Sequence, residues 1–104
     1  MGKYKVNITH SAENDLRDIA RYISFQLNEP STAISMIGII KDSIAKLEEN
    51  PFIYQLVRNE HLSALGYRLF GIKNYIVFYI INEKNKTVDI DRILHSRRDW
   101  QILL

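Results

Sequence analysis

The sequence contains no cysteine. Disulfides and thiolate metal sites are therefore excluded, which fits a reducing cytosol. Proline occurs twice and glycine four times in 104 residues. That leaves little material for a flexible linker, and none of it forms a glycine-rich phosphate loop. The longest apolar runs, such as "YIVFYII" at 75–81, are far too short to span a membrane. The opening stretch "MGKYKVNITHS" lacks the long apolar core of a signal peptide, so a cytoplasmic protein with no membrane partner is expected. A strong charge of one sign is also missing. Formal net charge is +2 and the pI is about 8.9, which permits contact with nucleic acid without demanding it. From Arg68 onward there are seven Lys/Arg against four Asp/Glu, a modest positive bias on the C-terminal half.

Local catalytic signatures are scarce as well. His10, His61 and His95 are far apart, and none has a ligand partner at helical spacing. No metal site and no cofactor is expected from such a set. Glu48 and Glu49 are adjacent and point to different sides of a helix, so they read as solvated charges. No nucleophile elbow is present.

What is there has clear periodicity. "KYKVNIT" alternates, with Tyr4, Val6 and Ile8 on one side, and reads as a half-buried first strand. In "HSAENDLRDIARYISFQLN" the period changes. Ala12, Leu16, Ile19, Ala20 and Ile23 form one helical stripe, with Ser11 as the expected N-cap. "NEPS" breaks the chain at Pro30, and Ser31 is placed to cap a second helix. That helix runs to Asn50 with Ile37, Ile40, Ile44 and Leu47 at 3–4 spacing, while Met36 and Ile39 widen its apolar surface. Two helices joined by a short break predict an antiparallel hairpin.

Three strands follow a loop of undefined shape. "GYRLFG" is the first. "YIVFYII" is apolar on both faces and so is expected to be central and covered on both sides. "NEKNK" is a hairpin turn, and "TVDIDRI" places Val88 and Ile90 inward with Asp89 and Asp91 outward. The tail "SRRDWQILL" ends in a short helix carrying Trp100, Leu103 and Leu104. The expectation is one α+β domain over 1–104: an N-terminal strand, an antiparallel helical hairpin, a three-stranded antiparallel meander and a short C-terminal helix.

Candidate working residues lie on the meander and its end. Arg68 sits mid-strand, suited either to a salt bridge with Asp89 or Asp91 or to phosphate contact. Arg92 breaks the pattern, because its strand parity matches Val88 and Ile90. A charge there must reach a sheet edge or find a partner, unless the strand bulges. His95 stands where the last strand ends and can move protons near neutral pH. Arg97 and Arg98 open the tail and suit a phosphate or an acidic partner. Trp100 reads as an anchor for the tail, and Tyr75 and Tyr79 as core on one face of the central strand.

The stretches "ALGYRLF", "YIVFYII" and above all "VDIDRILHSRRDW" make the chain resemble the RelE/ParE superfamily of bacterial type II toxins. The most specific part is a closing strand followed by His-x-Arg-Arg-Asp, here His95, Arg97, Arg98 and Asp99. The resemblance covers nearly the whole chain and implies a helical hairpin packed on a small antiparallel sheet. It also implies a cytosolic toxin neutralised by a cognate antitoxin encoded beside it, with oligomers formed only through that complex. RelE-like members cut messenger RNA on the ribosome; ParE-like members poison DNA gyrase and are not nucleases. Under the nuclease reading the resemblance implies catalysis by Arg68, Arg92, His95 and Arg98. Under the gyrase reading Arg92, His95, Arg97 and Arg98 become target contacts. Met36 and Ile39 are candidate antitoxin contacts in either case. The sequence lacks the dense Lys/Arg cluster of typical RelE sheets and has no tyrosine after the last strand. The long hairpin and the "RILHSRRD" ending look more like ParE and its plasmid-stabilisation relatives.

Overall fold

Residues 3–104 are described by a computed structural model. Strand β1 (Lys5–Ile8) leads directly into helix α1 (His10–Arg21), which continues as a π-helical turn over Tyr22–Gln26. Helix α2 (Pro30–Ala45) follows, and its end tightens into a 3-10 turn at Lys46–Glu48. A second 3-10 turn (Pro51–Ile53) and the short helix α3 (Glu60–Ala64) occupy what the sequence leaves as an undefined loop. Strands β2 (Tyr67–Ile72), β3 (Tyr75–Asn82) and β4 (Thr87–His95) form the meander, and α4 (Trp100–Leu103) closes the chain. The expected α+β order is present. None of the helices among the described residues is long and apolar enough to cross a membrane.

The sheet order is β1-β4-β3-β2. β1 pairs with β4 in parallel, Val6 opposite Val88 and Ile8 opposite Ile90. The two long helices cover one face. Ala12, Leu16, Ile19 and Ile23 meet Ile40 and Ile44 and the sheet residues Val77, Tyr79, Val88 and Ile90 there. The second face is also covered, as the two-sided apolar character of β3 requires. Phe78 and Leu94 pack with Val57 and Leu62, and Tyr67, Leu69 and Trp100 extend the cluster.

Both helix caps differ from expectation. Thr9, not Ser11, caps α1: its hydroxyl oxygen accepts from Ala12 N–H at 3.1 Å. The same hydroxyl donates to Asp91 O at 3.0 Å, a tie that Ser11 is two residues too late to make. Glu29, not Ser31, is the cap residue of α2, because Pro30 fits the first helical position, where its missing N–H costs nothing.

Arg92 is the main correction to strand parity. Ile90 lies opposite Tyr79 and Arg92 opposite Phe78, so Asp91 is an extra residue in a β-bulge. The bulge flips the alternation, and Arg92 leaves the strand on the face of Phe78, away from Val88 and Ile90. Arg68 also lacks its expected partners. Asp89 accepts from Asn7 and Asp91 from Tyr67, while Arg68 Nη1 donates to Tyr54 O at 2.6 Å and its guanidinium lies over the Phe52 ring. The reason is the face: Arg68 lies opposite Tyr79 on the helix side, whereas Asp89 lies opposite Ile80 and Asp91 bonds Tyr67, the Ile80 partner, on the other side.

Two phenols, Tyr79 buried and Tyr67 half-buried, tie the layers together and give a titration test. Tyr79 donates to Pro51 O at 2.7 Å, and Tyr67 donates to Asp91 Oδ2 at 2.7 Å. Burial first, and for Tyr67 also the Asp91 carboxylate, pushes both phenols from 10.0 up to about 12. The folded protein therefore holds these protons more tightly than the unfolded chain. Their contribution to stability is full below pH 10.0 and is lost as pH rises through about 12. Alkaline titration of tyrosinate absorbance should show late ionisation of these two groups, coupled to unfolding. Complete ionisation of every tyrosine near pH 10 in folded protein would contradict it.

Candidate functional site

The end of β4 reverses sharply against the β2–β3 turn. Ser96 N–H donates to Asn74 O at 2.9 Å, and Arg98 N–H donates to His95 O at 2.9 Å. Arg97 N–H donates to His95 Nδ1 at 3.1 Å, so the neutral imidazole carries its proton on Nε2. The ring stands edge-on to Tyr75, its partner across the ladder, with centroids 5.5 Å apart. This turn fixes His95 in place and throws Arg97 and Arg98 into solvent. Neither arginine side chain has a protein partner among the described residues.

His95 and Tyr75 form a ridge between two hollows. The smaller, about 290 Å³, lies towards α1 and is walled by Asp18, Ile19, Tyr22 and Arg98. The larger, about 500 Å³, lies towards α2 and is walled by Tyr22, Leu27, Met36, Asn74 and Arg97. Tyr22 borders both. Burial raises the Tyr75 phenol above its ordinary value, and the Tyr22 phenol beside it adds to that.

Arg92 lines neither hollow, but its partner Asp15 lines the smaller one. The Arg92 side chain crosses the open edge of β4, which has no β1 partner beyond Ile90, and meets Asp15 on α1. The pair is two-pronged: Nε to Oδ2 at 2.8 Å and Nη2 to Oδ1 at 2.9 Å. Asp15 Oδ2 also accepts the Ile93 N–H at 2.9 Å, which otherwise faces an unpaired edge. Arg92 Nη1 donates to Leu103 O at 3.2 Å. The Asp15 hydrogen bonds raise the Arg92 pKa further, against its partial burial. Arg92 is thus a strut joining α1, β4 and α4.

The structure therefore gathers only part of the expected set. His95, Arg97 and Arg98 share one end of the molecule, and Met36 joins them in the larger hollow. Ile39 is on α2, 37 % exposed, and borders neither hollow. Arg68 lies opposite Tyr79 on β2, whereas His95 lies opposite Tyr75 on β4. That separates them by about 13 Å along the sheet and about 10 Å across it. Sequence reasoning missed Tyr22 and Asp15. Tyr22 carried no signal, because nothing in the helical period announces a π turn. Asp15 did carry one: it is a carboxylate between Ala12, Leu16 and Ile19 on the buried stripe, and it needed a cation.

Residues 6–100 match the family model described as ParE toxin of type II toxin–antitoxin system, parDE. The chain belongs to this toxin family, within the RelE/ParE superfamily. Among solved structures, the chromosomal ParDE system of P. aeruginosa is similar with a TM-score of 0.74 and 18% identity, over 89% of this chain and 96% of that one. The RelBE2 toxin–antitoxin complex of Mycobacterium tuberculosis gives 0.62 and 21%, over 89% and 98%. A mutant of E. coli RelE in the free state gives 0.68 and 11%, over 99% and 93%. These likenesses establish the shared fold. No curated protein matches the sequence.

Proposed function

We propose that this toxin acts in the cytosol by binding DNA gyrase, without catalysis of its own, and is held in check by a cognate antitoxin. The observation that carries the reading is the dispersal of the four groups a nuclease would need. Arg68 is spent on Tyr54 O and the Phe52 ring, and Arg92 on Asp15 and Leu103 O. Of the four only His95 and Arg98 share a hollow, and Arg97 lines the other one, so a scissile phosphate in either meets a single arginine beside His95. The second sheet face carries a hollow of about 530 Å³ walled by Val57, Arg58, Leu69 and Trp100, but Arg58 is the one cation in its lining, so converging cations are missing there too. What stays available is a partly exposed cationic turn, a surface for binding rather than for phosphoryl chemistry. Antitoxin complexes among the structural relatives support the antitoxin partner.

Two experiments test this. Pulse-labelling after induction without antitoxin should show thymidine incorporation falling before amino-acid incorporation. Protein synthesis stopping first would favour a ribosome-dependent messenger RNA endoribonuclease, and no arrest at all would leave only antitoxin binding. In parallel, His95→Ala should reduce toxicity by less than tenfold, whereas loss of a general acid or base costs about 10²–10⁴-fold. Abolished toxicity with a normal fold would overturn the non-catalytic reading.

A further inference from the structure

The π-helical turn at Tyr22–Gln26 inserts an irregular step between α1 and α2. Such steps occur often at functional sites. Here it leaves Tyr22 53% and Leu27 50% exposed, both on the walls of the hollows beside His95. Met36 completes the apolar wall of the larger one. Apolar surface thus faces water where three cationic or titratable groups, His95, Arg97 and Arg98, line the rim. Of the acids nearby, Asp99 follows Arg98 in the chain and is exposed to solvent. Asp15 is taken by Arg92, Glu29 accepts from the Thr32 hydroxyl, and Asp18 alone lines the smaller hollow as an uncommitted carboxylate.

We propose that the two hollows form one seat for an acidic, amphipathic segment of the toxin's protein target. An apolar side chain lodges between Tyr22, Leu27 and Met36. A carboxylate beside it faces Arg97 and His95, where a guanidinium can hold it with two hydrogen bonds. The seat rests on the reading of a gyrase-directed, non-catalytic toxin, and it adds the chemistry of the contact. A nucleic-acid backbone suits the rim but offers no apolar group for the walls.

The test uses immobilised gyrase and the full-length chain. Variants are Tyr22→Ala, Tyr22→Phe and the charge-reversed pair Arg97→Glu with Arg98→Glu, all at exposed positions, with thermal melts to verify folding. Tyr22→Ala and the reversed pair should each weaken gyrase binding about 30-fold or more, the size of a hot-spot loss, while Tyr22→Phe binds as the wild type does. Unchanged gyrase affinity in Tyr22→Ala overturns the seat and leaves the gyrase reading standing. Variants that lose the antitoxin but keep gyrase overturn it too, by assigning the hollows to the antitoxin. Duplex DNA bound by the wild type and lost only in the reversed pair overturns it in favour of a phosphate site. A wild-type chain that binds no gyrase sinks the gyrase reading itself, and the seat with it.

Discussion

Asp15→Ala should lower the unfolding free energy in urea by about 3–5 kcal/mol. The side chains of Arg92 and Asp15 are 22% and 10% exposed, so the pair is largely shielded from water. Removing the carboxylate does three things at once. It strands a guanidinium on which the remaining acid, Asp91, acts without an ion-pair contact, it leaves the Ile93 N–H without an acceptor at an open strand edge, and it loosens the hold of Arg92 on Leu103 O. Each unsatisfied group carries its own desolvation penalty. The complementary variant Arg92→Met removes the cation but keeps an apolar stem, and it leaves Asp15 still bonded to Ile93 N–H. Replacing both partners together with apolar residues should cost far less than the two single changes summed, as a double-mutant cycle would show. A loss below about 1 kcal/mol in Asp15→Ala would mean that the pair behaves like an exposed surface bridge.

Phe78→Ala should be comparably damaging, at about 3–5 kcal/mol for emptying a fully buried aromatic position. Phe78 is the centre of the second-face cluster, with Val57, Leu62 and Leu94 buried around it and the Trp100 ring 5.3 Å away. Trp100 is the only tryptophan of the chain, so its fluorescence reports on α4 alone. The four-residue helix has no side-chain N-cap bond and little propensity to stand by itself. Its anchor is the ring contact together with Arg92 holding Leu103 O. The variant should therefore show red-shifted tryptophan emission below the unfolding transition, with far-UV signal nearly intact. Unshifted emission alongside the stability loss would mean that α4 is held without Phe78.

The strands and long helices were legible because each has one buried side and a period that matches it. The Ile37, Ile40, Ile44 spacing and the Val88/Ile90 alternation are physical consequences of a 3.6 and a 2.0 residue repeat meeting one core. The caps were misread at Ser11 and Ser31 because several hydroxyls and a proline compete within three residues, and the neighbouring strand decides. Thr9 wins by also reaching Asp91 O across the sheet. The candidate site was half legible. His95, Arg97 and Arg98 fall within four residues of the chain and had to end up together. Arg68 had no such guarantee, and the position of β3 separates it from them.

By itself the sequence determined the element order, the two-sided burial of β3, the anchoring of Trp100 and the lack of any local catalytic signature. Those follow from composition and from the local period of apolar residues. Only the tertiary structure decided that Arg92 answers Asp15, 77 positions away, and that Tyr22 stands beside His95. A bulge at Asp91 and a π turn at Tyr22 each add one residue to a regular repeat and so re-aim the side chains that follow. The bulge marks the sequence only as a charge at an apolar parity, Arg92, and it is held from other elements by Thr9 and Tyr67; the π turn leaves no mark in the hydrophobic period.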